Sequence, residues 1–362
     1  MAVESWNYRY EDLYEYVVRF FVKLKVSEAD ARIAADVLLS ADLRGVNSHG
    51  IIRLHSYYGQ RLVDGRIDPA SPVTTLHESG VTLALDGGNG LGQVVGHQAM
   101  TRCIEKAEAS GAALVTVRNS NHYGIAGYFA MMALPHDMIG ISLTNSRPLV
   151  APTYGRTAVI GTNPIAAAVP AGKERPYVLD MATSIVPIGK ITVHAQAREE
   201  IPEGWGIDQD GELTRDPNAV LDGGALHPLG GTDFMRGYKG YGLSLLVDIL
   251  SGVLSGAAFA DRVGKPNDTS PGTNVGHFFA AIKIEALRGL VGFKADMDEI
   301  IRLLKNAPKV DGQERIYIHG EKEFELAERC REHGIPLMKT VVASLKDAGE
   351  AVGVPFDLTP LG

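Results

Sequence analysis

The sequence predicts a mixed α/β (α+β) protein in which helices from both ends of the chain pack around a central sheet domain. Apolar residues recur at helical spacing towards each end, and short apolar segments typical of buried strands occupy the middle. The 41 glycines among 362 residues indicate many tight turns. A composition of 45% hydrophobic and 22% charged residues is typical of a globular chain with a sizeable core.

Two helices are predicted near the start of the chain. Ser27, followed three residues later by Asp30, indicates the start of a helix from about 28 to 44. Its apolar residues recur at helical spacing: Ala31, Ala34, Val37, Leu38 and Ala41. After a short link, Ser48 is expected to cap a second helix. The apolar face of that helix comprises Ile51, Ile52, Leu54, Tyr58 and Leu62.

The middle of the chain is predicted to form a sheet. Short apolar segments between Val81 and Ala195 are separated by glycine, proline and asparagine and are read as buried strands: VTLALD, AALVTV, IGISLTN, IAAAVP, YVLDM and KITVHA. A helix over Gln93–Ser110 is expected between the first two. Residues 201–232, rich in proline, aspartate and glycine, are expected to be irregular.

The remainder is predicted to be mostly helical. A helix is expected at 242–257 and a strand in the segment AAIKIEAL, and three terminal helices are expected near 296–306, 322–333 and 338–352. We therefore expect residues 1–78 together with 296–362 to form a helical domain, and residues 79–295 to form the central sheet domain.

Charge and cysteine content exclude several classes of partner and site. The formal net charge of −8 offers no basic surface for nucleic acid or an anionic membrane. Cys103 and Cys330 are too few for a cysteine-based zinc site and are typical of a reducing compartment, so a cytoplasmic protein is expected. The apolar run Tyr241–Ala260 contains Asp248, three serines and three glycines, which favours burial in protein over a bilayer.

A glycine-rich loop, Gly87–Gly92, lies between a predicted strand and a predicted helix, as a dinucleotide-binding loop does. A Rossmann fingerprint also needs an acidic residue near the end of the second strand, where this chain has Arg118 followed by asparagines. Half of the fingerprint is therefore missing. A purely structural turn and the loop of an S-adenosylmethionine-dependent methyltransferase remain alternatives.

The segment Asn47-Ser48-His49-Gly50, with Arg53 one helical turn further on, has the residue types of a 2-oxo acid site. A histidine can donate and accept a proton near pH 7, and a guanidinium can hold a carboxylate with two parallel hydrogen bonds. The alternative is a structural helix start in which Ser48 only caps the helix.

Polar turns follow several predicted strands, where ligands of sheet proteins commonly bind. In the turn Arg118–Gly124, His122 is a candidate to contact substrate or cofactor, and Gly161–Pro164 and Asp180–Ser184 carry small hydroxyl and amide groups. Gly237–Gly242 could hold a phosphate through backbone N–H groups and Lys239, and an ordinary glycine-rich helix entry is the equal alternative. The chain lacks the motifs of serine hydrolases, P-loop nucleotidases and zinc proteases, and no metal site is expected.

Six segments occur in the order, and at roughly the spacings, typical of the malate/L-lactate dehydrogenase family, which is distinct from the Rossmann-fold lactate and malate dehydrogenases: LRGVNSHGIIRL, VRNSNHYG, IGTNPIA, LDMATS, PEGWGIDQDG and KGYGLSLLVDILSGVLSG. The chain resembles this family over nearly its whole length. The resemblance implies a non-Rossmann dinucleotide-binding sheet domain, a homodimer, and reduction of 2-oxo acids or related imines with NAD(P)H. It also implies that Gly88–Gly92 does not wrap the cofactor's pyrophosphate.

The resemblance also implies roles for individual residues. His49 resembles the family's proton donor, Ser48 its hydrogen-bonding neighbour and Arg53 the carboxylate clamp, whereas His122 is either the catalytic base or a cofactor contact. Thr162 is similar to a substrate contact. The implied cofactor contacts are His122, Tyr123, Gly124, Ser146, Asp180, Met181, Ala182, Lys239, His319, Gly320 and Glu321, although the family often has proline where His319 stands.

The reaction implied is hydride transfer between the nicotinamide C4 of NAD or NADP and C2 of a 2-hydroxy acid, with His49 moving the hydroxyl proton. Malate/oxaloacetate is the expected pair. Lactate, sulfolactate and ureidoglycolate remain alternatives, and so does an imino acid, although Gly189-Lys190 stands where imine-reducing members have an acid. A non-catalytic homodimeric binding protein is the alternative of another class.

The apolar helix at 242–257, with Gly252 and Gly256, is the expected dimer contact.

Overall fold

The computed structural model of the chain describes residues 4–264 and 272–361, and it confirms a mixed α/β fold. The strands are β1 (Ser5–Tyr8), β2 (Thr74–Glu78), β3 (Thr82–Asp86), β4 (Ala112–Ser120), β5 (Met138–Thr144), β6 (Ile165–Val169), β7 (Tyr177–Met181), β8 (Gly206–Ile207), β9 (Ala225–Leu226), β10 (Val275–Lys283) and β11 (Ile335–Met338). The helices are α1 (Tyr10–Lys23), α2 (Glu28–Leu43), α3 (Gln60–Val63), α4 (Gly92–Ser110), α5 (Ala126–Met131), α6 (Ile188–Ala197), α7 (Pro217–Leu221), α8 (Tyr238–Asp248), α9 (Leu290–Lys305), α10 (Glu321–His333) and α11 (Lys339–Val352).

A seven-stranded sheet in the order β2-β3-β4-β10-β5-β6-β7 forms the centre of the described structure. The β3–β4 pair is parallel and is connected through α4, whereas the other neighbouring pairs are antiparallel. In β10, Phe279 lies between Val115 of β4 and Ser142 of β5. A Rossmann sheet is mostly parallel, so this mixed sheet is not a Rossmann sheet.

The sheet is covered on both faces, because successive residues of a strand point to opposite sides. On one face, Phe279 packs with Met100 of α4 and Phe129 of α5. On the other, Phe278 packs with Leu143 and with Val247 of α8. Each such buried aromatic or aliphatic side chain contributes about 1.5–3 kcal/mol relative to exposure.

Helices from both chain ends share a second core. Side chains of α1, α2, α10 and α11 form one apolar cluster, and β1 pairs antiparallel with β11. The buried Tyr16 hydroxyl of α1 donates to the carbonyl oxygen of Leu345 in α11 at 3.0 Å. The sequence analysis did not identify α1, although Leu13, Tyr16 and Phe20 recur along it at helical spacing.

The segment KITVHA, predicted as a strand, is helix α6, so that prediction is wrong. Pro187 stands directly before the helix, where its fixed φ is compatible with a helix start. Ile191 is buried beside Val186 and Ile201, whereas Val193 is 62% exposed. The β-branched residues of this segment suggested a strand. In the structure only one side of the helix, which includes Ile191, is buried.

The prediction of a single helix beginning at Ser48 is also wrong. Residues Asn47–His49 form a 3₁₀ turn, Gly50 interrupts it with φ −90° and ψ −149°, and Leu54–Gly59 form a π-helical turn that leads into α3. A Cβ atom on Gly50 would collide with the buried carboxyl of Asp42, whose Oδ2 accepts a 2.6 Å hydrogen bond from the Ile51 N–H. This close packing breaks the helix at Gly50.

The remaining differences are smaller. The predicted 242–257 helix consists of α8 and a π-helical turn over Ile249–Val253. The strand expected in AAIKIEAL begins earlier, at Val275, and ends at Lys283. Strands β1, β2 and β11 were missed, and the excursion at 201–232 contains β8, α7 and β9. None of the helices within 4–264 and 272–361 is both long and apolar enough to cross a bilayer.

Candidate active site

Two adjoining cavities lie where the helical assembly meets the sheet. The larger is an open cleft of about 510 Å³ and the smaller a cavity of about 140 Å³. Both are lined by Ser48, His49, Gly124, Thr162, Pro164 and Pro187. His49 therefore stands where a ligand in the cleft would meet a ligand in the smaller cavity.

His49 is held by its neighbours in the 3₁₀ turn. Its Nδ1 lies 2.9 Å from the Ser48 hydroxyl, and its ring stacks on that of His122 at a centroid distance of 5.3 Å. The Arg53 Nε donates to the Ser48 carbonyl oxygen at 2.8 Å. Arg53 thus stays beside His49 although no regular helix connects them.

His122 has a defined tautomer. The Tyr58 hydroxyl lies 2.6 Å from its Nδ1, and the Gly124 N–H donates to the same nitrogen at 3.3 Å. Because Nδ1 accepts these bonds, the proton of the neutral ring is on Nε2. His122 therefore carries an Nε2–H donor, and the residue lines the smaller cavity. Tyr58 was expected only as part of an apolar face.

Both histidines are neutral at pH 7 in the ligand-free protein. Burial, reinforced by the charge of Arg53, lowers the pKa of His49 to about 4. Burial together with the nearby His49 and Arg53 holds the pKa of His122 well below its usual range. An anion bound in the smaller cavity would offset the arginine charge and favour the protonated form of His49.

The glycine loop fixes the turn that carries His122. The Asn121 side-chain amide donates to the carbonyl oxygens of Asn89 (3.2 Å) and Gly90 (2.9 Å). A Cβ atom on Gly92 would collide with the carbonyl oxygens of Asn121 and His122. Among the described residues that line either cavity, none comes from Gly87–Gly92. The loop acts here as a support for the neighbouring turn.

The other predicted site residues divide into three groups. Seven line the larger cleft: Gly124, Thr162, Asp180, Met181, Ala182, His319 and Gly320. Ser146 lines the smaller cavity, and its Oγ accepts from the Thr162 N–H at 3.0 Å. Tyr123 also lines the smaller cavity, and its ring is held there by stacking on Phe129 and His277.

Lys239 and Glu321 are not brought to the site. Lys239 is exposed on α8, and the buried Glu321 carboxylate accepts hydrogen bonds from Lys305 at 2.6 Å and Arg315 at 3.3 Å. Neither is among the described lining residues of the two cavities. The described residues also contain no group of three or more His, Cys, Asp or Glu arranged to hold a metal ion.

Arg147 was missed by the sequence analysis. It lies three residues after β5 and lines the smaller cavity together with Arg53. The signal was present in the sequence, because Ser146-Arg147 directly follows the predicted strand IGISLTN and ligands favour such strand ends. Ser146 was selected from this segment and its charged neighbour was not.

Comparisons with known proteins agree with this geometry. The family model for malate/L-lactate dehydrogenase matches residues 8–346. A malate dehydrogenase of Pyrococcus abyssi is 50% identical over 345 residues, covering 95% of this chain and 94% of the relative. An L-sulfolactate dehydrogenase of Methanocaldococcus jannaschii is 39% identical over 341 residues, covering 94% and 96%. The solved malate dehydrogenase of Pyrococcus horikoshii has a TM-score of 0.90 at 43% identity, covering 100% of this chain and 99% of that chain.

The matches extend across both cavities and the sheet between the helical ends. The sheet is mixed and is not a Rossmann sheet, and His49 lies between two adjoining cavities. The chain is also similar to dehydrogenases over almost its full length. These observations indicate an oxidoreductase. The chain belongs to the malate/L-lactate dehydrogenase family.

Proposed function

We propose that the protein interconverts malate and oxaloacetate with NAD(H) or NADP(H). The observation that carries the proposal is the position of His49, which lines both the cleft that suits a dinucleotide and the smaller cavity that contains Arg53. The Pyrococcus abyssi relative, 50% identical to this chain, is named a malate dehydrogenase, which favours malate over the other acids of the family.

The larger cleft fits a nicotinamide dinucleotide in size and in chemistry. Its volume of about 510 Å³ is within the usual range for small-molecule sites. The Asp180 carboxylate can accept hydrogen bonds from ribose hydroxyls, and Arg44 and Lys322 supply positive charge for a diphosphate. The cofactor, when bound, accepts or returns the hydride at C2 of the acid.

His49 is proposed as the acid/base. During oxidation its neutral ring takes the proton of the C2 hydroxyl as the C2–H bond is lost as hydride, and the C2–O bond becomes a carbonyl. His122 is less suited to this role, because the proton of its neutral ring is already on Nε2. It can instead donate a hydrogen bond to the substrate. Ser48 orients His49 through their 2.9 Å contact.

Arg53 is proposed to hold the C1 carboxylate. Its Nε is bonded to the Ser48 carbonyl, so the terminal guanidinium nitrogens are directed by a fixed stem. A carboxylate held in this way places C2 beside His49, which is a positioning contribution to the rate. Thr162 and Ser146 lie at the same wall and can contact the acid or the nicotinamide.

A spectrophotometric panel tests the proposal. Oxaloacetate, pyruvate, sulfopyruvate and a cyclic imino acid are each mixed with the protein and with NADH or NADPH, and cofactor oxidation is followed. We expect oxaloacetate to give the highest kcat/KM. Absence of turnover with every acid would contradict the proposal. Thermal stabilisation by the cofactor without turnover would indicate the binding protein, and stabilisation by S-adenosylmethionine alone the methyltransferase.

The lowered pKa of His49 predicts opposite pH responses in the two directions. Reduction requires protonated His49, so its kcat/KM should rise by about tenfold for each pH unit lowered between about pH 8 and pH 5. Oxidation requires the neutral ring, so kcat/KM for malate should not fall until the pH approaches about 4. A pH-independent reduction rate over this interval would contradict the assignment of His49 as proton donor.

We further propose a cytoplasmic homodimer. Residues 1–78 with 296–362 would carry the proton donor, and residues 79–295 would bind the cofactor and form the dimer. The support is an apolar surface on α8 and the following turn, where Leu246, Ile249 and Val253 are 49%, 44% and 53% exposed. Buried free Cys103 and Cys330 are compatible with a reducing compartment.

Sedimentation tests the dimer. At micromolar concentration we expect a species of about twice 38.8 kDa, the closed two-fold assembly usual for such proteins. Leu246→Asp should dissociate it, because a carboxylate would be buried in an apolar contact. Asp222→Asn, on an exposed turn, serves as a control. A fully active wild-type monomer would contradict the proposal.

A further inference from the structure

The smaller cavity contains two guanidinium groups that approach from different elements. Arg53 belongs to the segment between the 3₁₀ turn and the π-helical turn, whereas Arg147 follows strand β5 of the central sheet. Among the described residues that line this cavity, none is aspartate or glutamate. The cavity therefore has a concentration of positive charge without an acidic residue in its described lining.

The charge on Arg147 is in an unfavourable environment without a ligand. Burial and the charge of Arg53 lower the pKa of Arg147, and the opposing influence of the Tyr57 hydroxyl is smaller. Partly buried like charges repel each other and are costly to desolvate unless a counter-charge is supplied. A bound anion would remove both penalties.

One carboxylate does not account for both arginines. The backbone bond from Nε holds Arg53 beside Ser48 and His49, which suits the C1 carboxylate in the mechanism proposed above. Arg147 lines the smaller cavity but not the larger cleft, so its placement favours contact with the acid over contact with the cofactor's diphosphate. A second acid group on the same small molecule would match its position.

We propose that Arg147 binds the second acid group of a dianionic 2-oxo acid and thereby selects such substrates over monoanionic ones. The inference rests on the proposed 2-oxo acid reductase function and adds its specificity determinant. The second group can be a carboxylate or a sulfonate, since both present anionic oxygens to a guanidinium. A substrate without this group leaves the Arg147 charge unmatched, which is the basis of strong discrimination.

The test compares kcat/KM for oxaloacetate, sulfopyruvate and pyruvate in the wild type, Arg147→Gln, Arg147→Lys and Arg53→Gln. Arg147→Gln should lower the preference for oxaloacetate over pyruvate by about 10–10²-fold, as expected for loss of a charged hydrogen bond. Arg147→Lys should recover part of the preference. Arg53→Gln should lower kcat/KM for all three acids together. Arg156→Gln, an exposed arginine outside the cavity, is the matched control.

The outcomes separate the two levels of the proposal. If the wild type reduces no 2-oxo acid, the proposed function is wrong. If it reduces oxaloacetate but Arg147→Gln lowers kcat/KM for oxaloacetate and pyruvate in equal proportion, the role of Arg147 is wrong. A rise in the NADH dissociation constant without a change in preference would also overturn it. A larger effect on sulfopyruvate than on oxaloacetate would support the proposal and identify the second group as a sulfonate.

Discussion

Replacing His49 with alanine is expected to lower kcat by about 10²–10⁴-fold, the usual contribution of general acid–base catalysis. The reason is its position: His49 lines both cavities, and no other imidazole within the described residues does so. Cofactor affinity should change little, because in the proposed mechanism the ring contacts the reacting hydroxyl of the acid and does not hold the diphosphate or the riboses of the cofactor. Steady-state turnover and the NADH dissociation constant together measure these effects.

The variant to compare with His49→Ala is His122→Asn. In the wild type the His122 ring stacks on His49 at 5.3 Å, and its Nδ1 accepts from Tyr58 and Gly124. We therefore expect a smaller loss of kcat in His122→Asn than in His49→Ala. The exposed His136→Ala should behave as the wild type and controls for loss of a histidine elsewhere. Near-normal turnover of His49→Ala would transfer the acid/base role to His122.

The residue types of the site could be predicted from the sequence, but their geometry could not. His49 and Arg53 were selected because a helix would place them on one face, whereas a 3₁₀ turn and the break at Gly50 position them instead. The break depends on Asp42, whose carboxyl occupies the space beside Gly50. Such a contact between residues of different elements leaves no local pattern in the sequence.

The same limit explains the errors in the fold. Long periodic segments such as α2 and α4 were predicted to within a residue or so of their bounds, because their burial repeats along the segment. Strands β1 and β11 are four residues long and pair with each other from opposite ends of the chain. The sequence around each strand therefore does not indicate the pairing. Helix α6 was misassigned because its buried side, which includes Ile191, is defined by Ile201 and Trp205 from a later segment.

The glycine loop has the sequence position of a dinucleotide-binding loop but supports a neighbouring turn. Its carbonyl groups at Asn89 and Gly90 accept hydrogen bonds from Asn121. The Asp86 carboxylate accepts from the Gly88 N–H at 2.9 Å and from Arg118 at 2.9 Å. Arg118 stands at the strand end where a Rossmann fold has its acidic residue. Through Asp86, its guanidinium stabilises the loop.

Gly92→Ala is therefore expected to impair catalysis although Gly92 lines neither cavity. The new methyl group would collide with the Asn121 and His122 carbonyl oxygens, which are backbone atoms and cannot rotate away. Displacement of the His122 turn by about 1 Å can lower kcat by about 10²-fold, and the overpacking should cost about 1–3 kcal/mol of stability. Kinetic assays and thermal unfolding measure the two effects.

Two further variants decide whether the effect arises from the His122 turn. Asn121→Ala removes the amide that donates to the Asn89 and Gly90 carbonyls without adding a clash, so it should lower kcat in the same direction. Gly80→Ala, at an exposed site where a Cβ atom meets nothing within 4 Å, should leave both kcat and melting temperature unchanged. Normal kcat in Gly92→Ala and Asn121→Ala would contradict the supporting role of the loop, because a turn that tolerates both changes is held in place by other contacts.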